Sequence, residues 1–171
     1  MNRFMRVIIL IFICFQISKV YCQNFKSAIY KYQIEIPKNY NLKEATGKNI
    51  DFKAVNKLGS SVIIVVKQLP KESQNYSAKE MSETPKEELE KLLSEYLPNP
   101  KFIKSGLSKL GKEEAFWFHY TSNQANEPKM YHINYSSNVK GYIYTLTCTC
   151  LLNQLDNNMP TFIRAIQSFK F

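Results

Sequence analysis

Two histidines, His119 and His132, are the side chains in this sequence whose chemistry is most versatile near neutral pH. They lie on two neighbouring predicted strands that the loop over residues 122–129 joins. A register with His119 opposite His132 would bring the rings together, and Glu127 in the loop would reach the same metal ion. A register shifted by one residue would place the rings on opposite faces, because side chains alternate along a strand. Both alternatives are open at this point.

Trp117 belongs to the same predicted strand as His119 and completes a weak candidate site for a small ligand, formed by Trp117, His119 and His132. Four tyrosines fall on adjacent predicted strands, at positions 131, 135, 142 and 144. Cross-strand aromatic pairs stabilise a sheet by about 0.2–1 kcal/mol each, which explains these residues without a ligand. The functional alternative is an aromatic patch that binds a glycan or a protein partner.

Cys148 and Cys150 alternate with threonines on the last predicted strand. Side chains at positions i and i+2 of a strand are about 7 Å apart, too far for an unstrained disulfide. The spacing therefore predicts two buried free thiols. The alternatives are a disulfide across a local bulge or pairing with a retained Cys22. A redox motif would favour Cys-x-x-Cys at a helix N-terminus, which this pair does not match.

The common catalytic patterns are missing from the sequence. Beyond residue 22 it has two aspartates, Asp51 and Asp156, and several of its glutamates cluster on one predicted helix. The five glycines are scattered, so no phosphate-binding loop is present, and neither Gly-x-Ser-x-Gly nor His-Glu-x-x-His occurs. We therefore predict no catalytic residue, no metal ligand and no cofactor. A hydrolase that pairs a serine with one of the histidines is the least favoured hypothesis.

The first 22 residues have the pattern of a signal peptide. Arg3 and Arg6 precede an unbroken apolar run over residues 7–15. Such a run spans about 14 Å as a helix, half of a bilayer core of about 30 Å. It therefore indicates a signal peptide and not a membrane anchor, and no membrane-spanning segment follows it.

Cleavage after Cys22 fits the sequence best and makes Gln23 the new N-terminus. Export to the periplasm, the outer surface or the medium follows from this prediction. Lipidation of Cys22 is the alternative, and it is disfavoured because the bulky Tyr21 stands where a lipobox has a small residue. Residues 23–171 are then one domain, large enough to fold around a single core.

The predicted mature chain has 20 basic side chains against 14 acidic ones, and therefore a net charge of +6; Arg164 is its only arginine. Because arginine is the residue that forks onto phosphates and guanine edges, this composition argues against nucleic-acid binding. A lysine-rich surface gives at most a weak attraction to anionic lipid or cell-wall polymer. The expected partner is another protein of the cell envelope.

Alternating apolar and polar residues predict seven strands, over residues 30–36, 48–55, 61–69, 102–109, 113–121, 130–138 and 141–151. The strand over residues 61–69 is apolar on both sides, which predicts that helices cover both of its faces. Short turns predict consecutive antiparallel pairing of the last four strands.

Three helical segments are predicted between and after these strands. A short turn is expected over residues 78–82. Thr84 and Glu87 have the spacing of a capping box, and a second helix follows. Its apolar face would be formed by Leu89, Leu92, Leu93 and Tyr96. The third helix spans residues 156–167, with an apolar face formed by Met159, Phe162, Ile163 and Ile166.

This order of elements predicts an α+β fold. The expected architecture is an α-β-α sandwich, in which a central, largely antiparallel sheet of about seven strands has helices on both faces.

Three stretches of the chain resemble the PsbP-like superfamily, which includes bacterial DcrB-type envelope proteins and a Ran-binding nuclear import factor. They are Tyr-Gln-Ile-Glu-Ile-Pro at 32–37, the late strand over 142–150 and the C-terminal segment over 160–171, which contains Ser-Phe near its end. The resemblance covers residues 26–171 and implies the same α-β-α sandwich. Nothing in the sequence indicates a chloroplast transit peptide, so the photosynthetic role of the plant members is not expected here.

Members of this superfamily are chiefly binding or assembly modules without a shared catalytic residue. The resemblance therefore implies an exported, non-catalytic module of the cell envelope. The alternative from a different class is a small-ligand or metal carrier that uses Trp117, His119 and His132. A ligand-dependent rise in melting temperature that disappears in His119→Ala would distinguish the carrier from the module.

Overall fold

The computed structural model describes residues 23–171. The predicted signal peptide over residues 1–22 lies outside the described residues, and so does Cys22 with its alternative roles. Within the described part of the chain, no helix combines the length and the apolar composition needed to cross a bilayer.

The main sheet has seven strands and is antiparallel throughout. The strands are β3 (Tyr40–Leu42), β4 (Ile50–Asn56), β5 (Ser61–Gln68), β6 (Lys101–Leu110), β7 (Glu113–Ser122), β8 (Met130–Val139) and β9 (Tyr142–Leu151). Their order across the sheet is β3-β4-β5-β9-β8-β7-β6. The last four strands pair consecutively, as their short turns predict, and β9 then pairs with β5 along the whole length of β5.

The predicted strand over residues 30–36 is not part of this sheet. Only Gln33–Glu35 is extended there, as β2, and it pairs with β1 (Asn24–Lys26) in a separate two-stranded ribbon. The seventh strand of the main sheet is instead β3, which pairs with β4. The difference arises because Ile34 packs into the core from the ribbon, so an alternating pattern marks a half-buried strand without specifying its partner.

Three helices are arranged around the sheet: α1 (Ala78–Ser82), α2 (Lys86–Ser94) and α3 (Leu155–Ser168). One side of the sheet, here called the α3 face, is defined by the paired row Val62, Cys148, Ile133 and His119. Phe162, Ala165 and Phe169 pack on this face together with the ribbon, and they form the larger hydrophobic core with it. The predicted sandwich is confirmed here as an α+β fold with helices on both sides of the sheet.

The opposite side, here called the α1 face, is defined by the row Ile63, Thr147, Asn134 and Phe118. A second, smaller core lies on this face, in which α1 packs on three aromatic side chains of β7. Its buried members are Ala78, Met81, Phe116, Phe118 and Tyr120.

The two helical layers are offset, which corrects the expectation that helices cover both faces of β5. Val62, Ile64 and Val66 are buried on the α3 face, whereas Ile63 and Val65 are only half-buried on the α1 face. The cause is the position of α1 and α2, which pack over β6, β7 and β8 at the other end of the sheet. A strand with one face buried and the other half-buried therefore has the same kind of apolar run as a strand that helices cover on both faces.

The predicted capping box at Thr84 and Glu87 does not form. The helix α2 begins after Pro85 without a side-chain cap, because Pro85 occupies the cap position itself. A capping box is found one helix earlier, where the Ser77 hydroxyl accepts from the Glu80 N–H and the Glu80 carboxylate accepts from the Ser77 N–H. That box fixes the start of α1 and therefore the packing of Met81 on the sheet.

Two predicted helix faces differ from the observed ones, by two residues at α2 and by one at α3. In α2 and the turn after it, Leu92 is 49% and Tyr96 is 81% exposed. Leu89, Leu93 and Leu97 pack against the smaller core. On α3, Ile163 is 46% exposed, and Asn158 and Ala165 are buried beside Phe162. Because α3 covers only part of its face of the sheet, one side of its predicted apolar stripe is left open to solvent.

We expect Ser77→Ala to lower the free energy of unfolding by about 1 kcal/mol, because it removes the hydroxyl that caps α1. Urea denaturation would measure the change. Ser94→Ala is the matched control, since the Ser94 hydroxyl only donates to the Lys91 carbonyl in the last turn of α2. Equal effects of the two substitutions would contradict the assignment of the cap.

Candidate functional site

The register of β7 and β8 separates the three candidate ligand residues. His119 pairs with Ile133, and His132 pairs with Tyr120, so the register is shifted by one residue from direct histidine pairing. His119 and Trp117 therefore lie on the α3 face, and His132 lies on the α1 face. This is the second of the two alternatives that the sequence left open, and it prevents the two imidazoles from sharing a metal ion. A ligand site at either position remains a prediction.

Trp117 and His119 belong to an aromatic cluster on the α3 face. The Trp117 ring lies nearly parallel to that of Tyr135, with 25° between the planes and 6.5 Å between the centroids. Its other neighbour is His119, at 5.1 Å in an edge-on arrangement. Trp117 and Tyr135 are half-buried, whereas His119 is buried.

Gly106 on β6 faces Trp117 and lets the indole lie close to the edge strand. The two residues are directly paired, and a Cβ atom on Gly106 would lie 2.8 Å from Cζ2 of the indole. Every other residue type would therefore push the ring out of its position. The sequence shows Gly106 as an isolated glycine in a strand, a signal of close approach by another group.

His119 and Tyr131 form a buried hydrogen bond on the same face. His119 Nδ1 lies 2.7 Å from the Tyr131 hydroxyl, and Lys104 is paired with His119 across the β6–β7 ladder. Burial lowers the pKa of His119 to about 4, and the positive charge of Lys104 contributes to the decrease. At neutral pH this imidazole is therefore uncharged.

His132 is the centre of a different cluster on the α1 face. Its Nε2 lies 2.8 Å from the Ser122 hydroxyl, its Nδ1 lies 3.0 Å from Oγ1 of Thr149, and its ring stacks on Tyr120 at 4.5 Å. Burial lowers the pKa of His132 to about 4. A neutral imidazole has one donor and one acceptor, so both of its nitrogens are satisfied here.

Ser122 and Thr149, the two hydroxyl partners of His132, are not identified from the sequence. Ser122 lies two residues beyond Tyr120 on β7 and therefore on the face that carries His132, a relation that becomes visible only when the register is known. A serine hydrogen-bonded to a histidine resembles the nucleophile and base of a hydrolase.

Two features distinguish this pair from a working hydrolase. The second imidazole nitrogen contacts a threonine hydroxyl, where hydrolases place a carboxylate that stabilises the charged imidazole. Ser122 is also only 3% exposed, so its hydroxyl has no open path to a substrate. The arrangement fits a satisfied polar contact inside the sheet.

Cys148 and Cys150 are both buried free thiols on the α3 face, as their spacing predicts. Burial raises the pKa of Cys150 to about 11 and moves that of Cys148 further in the same direction. Both groups are therefore protonated at neutral pH, and their thiols are poor nucleophiles. Among residues 23–171, no group of three or more His, Cys, Asp or Glu side chains is arranged to hold a metal ion.

A cavity of about 340 Å³ lies next to the Trp117 cluster and shares Tyr135 with it. Its walls come from β6 and from α3, where Ile163, Ile166 and Gln167 line it. A larger cavity of about 660 Å³ lies at the far end of β8, between the segment 74–78 and Glu113, Glu114 and Asn138. None of the three candidate ligand residues lines the smaller cavity, but Tyr135, which does, is paired with Trp117.

We expect Gly106→Ala to displace the Trp117 ring and to destabilise the fold by about 1–3 kcal/mol, the usual cost of overpacking. Trp117 is the only tryptophan, so its fluorescence reports the displacement directly. Ser105→Ala is the control, because this neighbouring side chain is paired with Phe118 and belongs to the opposite face. An unchanged emission spectrum in Gly106→Ala would contradict the contact.

The chain shares its fold with several solved structures. The chain is similar to cyanobacterial PsbP (CyanoP) from Synechocystis, with a TM-score of 0.61 and 11% identity over 86% of this chain and 90% of that one. It is also similar to LpqN of Mycobacterium tuberculosis, a protein involved in cell envelope biogenesis, with a TM-score of 0.59 and 11% identity over 90% of this chain and 86% of that one.

A third similar structure is PA94 from Pseudomonas aeruginosa, with a TM-score of 0.50 and 12% identity over 86% of this chain and 94% of that one. No protein-family profile and no curated protein sequence matches the chain. The superfamily resemblance noted in the sequence is therefore confirmed at the level of the fold, which by itself does not define an activity.

Proposed function

We propose that this protein is an exported, non-catalytic binding or assembly module of the cell envelope. The observation that carries the proposal is the PsbP-like fold, which LpqN, a protein involved in cell envelope biogenesis, shares along nearly the whole length of both chains. The signal-peptide pattern over residues 1–22 supports export. The expected partner is another component of the envelope.

The chemistry of the buried clusters supports the non-catalytic part of the proposal. The Ser122–His132 pair is enclosed in the sheet and satisfied by Thr149, and burial keeps the cysteine thiols protonated. These groups stabilise the interior and are not presented to a substrate. Side chains that solvent reaches, among them Lys104 and Ser108, lie instead on the α3 face beside Trp117.

The proposal is tested by following the untagged protein in its native cells with an antibody. We expect it in the envelope fraction, with a mature chain whose mass corresponds to a start at Gln23. Chemical crosslinking in whole cells is expected to give a reproducible adduct with one envelope component. An uncleaved chain in the cytoplasm would refute export. An esterase or glycosidase activity that Ser122→Ala abolishes would refute the non-catalytic role.

A further inference from the structure

At the β6–β7 end of the α3 face, Lys104 and Ser108 are exposed and Trp117 is half-buried. The helix α3 packs on β9 and on the ribbon, so β6 and β7 project beyond it. A groove forms along this boundary and contains the cavity of about 340 Å³, within the range of about 300–1,000 Å³ that ligand pockets have. Ser108, Tyr135 and Gln167 line it together with two isoleucines of α3.

The aromatic pair Trp117 and Tyr135 lies beside this cavity, and Tyr135 lines it. The rings of Trp117 and Tyr135 are nearly parallel, and neither is fully buried, so parts of both remain open to solvent. Gly106 leaves room for the indole at the edge of the sheet. A sugar ring has an apolar face of C–H bonds, and this face packs well on aromatic rings because the face of an aromatic ring carries partial negative charge.

The rim of the groove combines hydrogen-bonding groups with positive charge. The exposed Ser108, Lys109 and Gln167 line the cavity, and the serine hydroxyl and glutamine amide match the hydroxyl groups of a sugar. Lys104 is exposed on the α3 face of the edge strand, opposite His119. Its charge reaches that cluster, because it adds to the effect of burial in lowering the pKa of His119.

We propose that this groove binds an acidic glycan of the cell envelope, with sugar rings stacked on Trp117 and Tyr135 and an anionic group of the glycan facing Lys104. The inference rests on the proposed function, because a glycan of this kind is met in the envelope. It adds the binding surface and the chemical class of the ligand. Polar and apolar side chains line the cavity. The positive charge of Lys104, on the same face of the sheet, complements the negative charge of the glycan.

The experiment is a titration of the purified exported protein with three acidic oligosaccharides: oligogalacturonate, a hyaluronan oligomer and a soluble uncrosslinked peptidoglycan fragment. Trp117 fluorescence and calorimetry are the readouts. We expect at least one of the three oligosaccharides to bind and to change the fluorescence emission of Trp117. Trp117→Ala, followed by calorimetry, is expected to weaken binding at least tenfold. Lys104→Gln is expected to weaken it about threefold or more, and to reduce its salt dependence.

Two controls separate this site from unspecific attraction. Leu107→Ala changes an exposed side chain of the same strand on the α1 face and should leave the affinity unchanged. Poly-glutamate carries negative charge without sugar rings and should bind at least tenfold more weakly than the best oligosaccharide. Equal binding of poly-glutamate, binding that survives Trp117→Ala in a folded variant, or binding of none of the three oligosaccharides would overturn the proposal.

A neutral oligosaccharide, cellopentaose, tests the charge requirement, and equal affinity for it would overturn the acidic part of the proposal. The outcome is separable from that of the proposed function. If the protein is found in the envelope and crosslinks to a partner there, but binds none of these glycans, the proposed function stands and the glycan site is refuted. If the protein is found in the cytoplasm, the proposed function is refuted whatever the titration shows.

Discussion

Phe162→Ala is expected to lower the free energy of unfolding by about 3–5 kcal/mol, the range for removal of a large aromatic side chain from a packed core. Phe162 is fully buried where α3 meets the sheet and belongs to the larger hydrophobic core. Its loss leaves a cavity between the helix and the α3 face. Urea denaturation, with secondary structure and Trp117 fluorescence followed together, measures the change.

The next residue of the helix provides a matched control for this prediction. Ile163 is 46% exposed, and we expect Ile163→Ala to cost clearly less than Phe162→Ala, about 1 kcal/mol, because nearly half of its surface already faces solvent. If the two substitutions destabilised the protein equally, the orientation of α3 on the sheet would be wrong, and so would the position of the groove beside it.

The stability of the fold is expected to fall steeply between pH 6.5 and pH 4. Burial lowers the pKa of His119 and of His132 from the ordinary 6.5 to about 4 in the folded protein. The unfolded chain therefore binds these protons at a higher pH than the folded chain does. The stabilising contribution is complete above pH 6.5 and is lost as the pH falls towards 4.

For His132 a shift of this size corresponds to about 3 kcal/mol, since one pKa unit is about 1.4 kcal/mol. We expect a smaller share from His119, because solvent in the adjacent groove screens its charge. Unfolding free energies measured from pH 7.5 to pH 4 test this prediction. In His132→Gln the slope of the unfolding free energy against pH should decrease by about 1.4 kcal/mol per pH unit in this window, because unfolding then takes up one proton fewer. An unchanged slope would show that His132 is not buried in its neutral form.

The sequence was a good guide to the parts of the fold that depend on local pattern. The four late strands, their consecutive pairing and the C-terminal helix follow from alternation, short turns and the apolar spacing around Phe162. Alternation does not predict the pairing of a strand whose partner is distant in the chain. The segment around Ile34 looks like a strand of the main sheet, but its place in the ribbon depends on contacts with α3 and with Lys170 near the C-terminus.

The candidate site was predictable in composition but not in arrangement. The sequence identifies Trp117, His119 and His132 as unusual residues on neighbouring strands. A shift of one residue in the β7–β8 register decides whether the histidines meet, and no local signal in the sequence fixes that shift. The contact of Ser122 with His132 and the open edge beside α3 depend on the same tertiary geometry.

The central claim is that this protein acts by binding at the groove on the α3 face and not by a reaction at the Ser122–His132 pair. Its most direct measurement is the ability of full-length variants to replace the wild-type protein in native cells that lack it, with folding verified for each variant. We predict that Ser122→Ala and His132→Gln restore the wild-type envelope and that Trp117→Ala does not. Restoration by Trp117→Ala, together with failure of a folded Ser122→Ala, would contradict the claim.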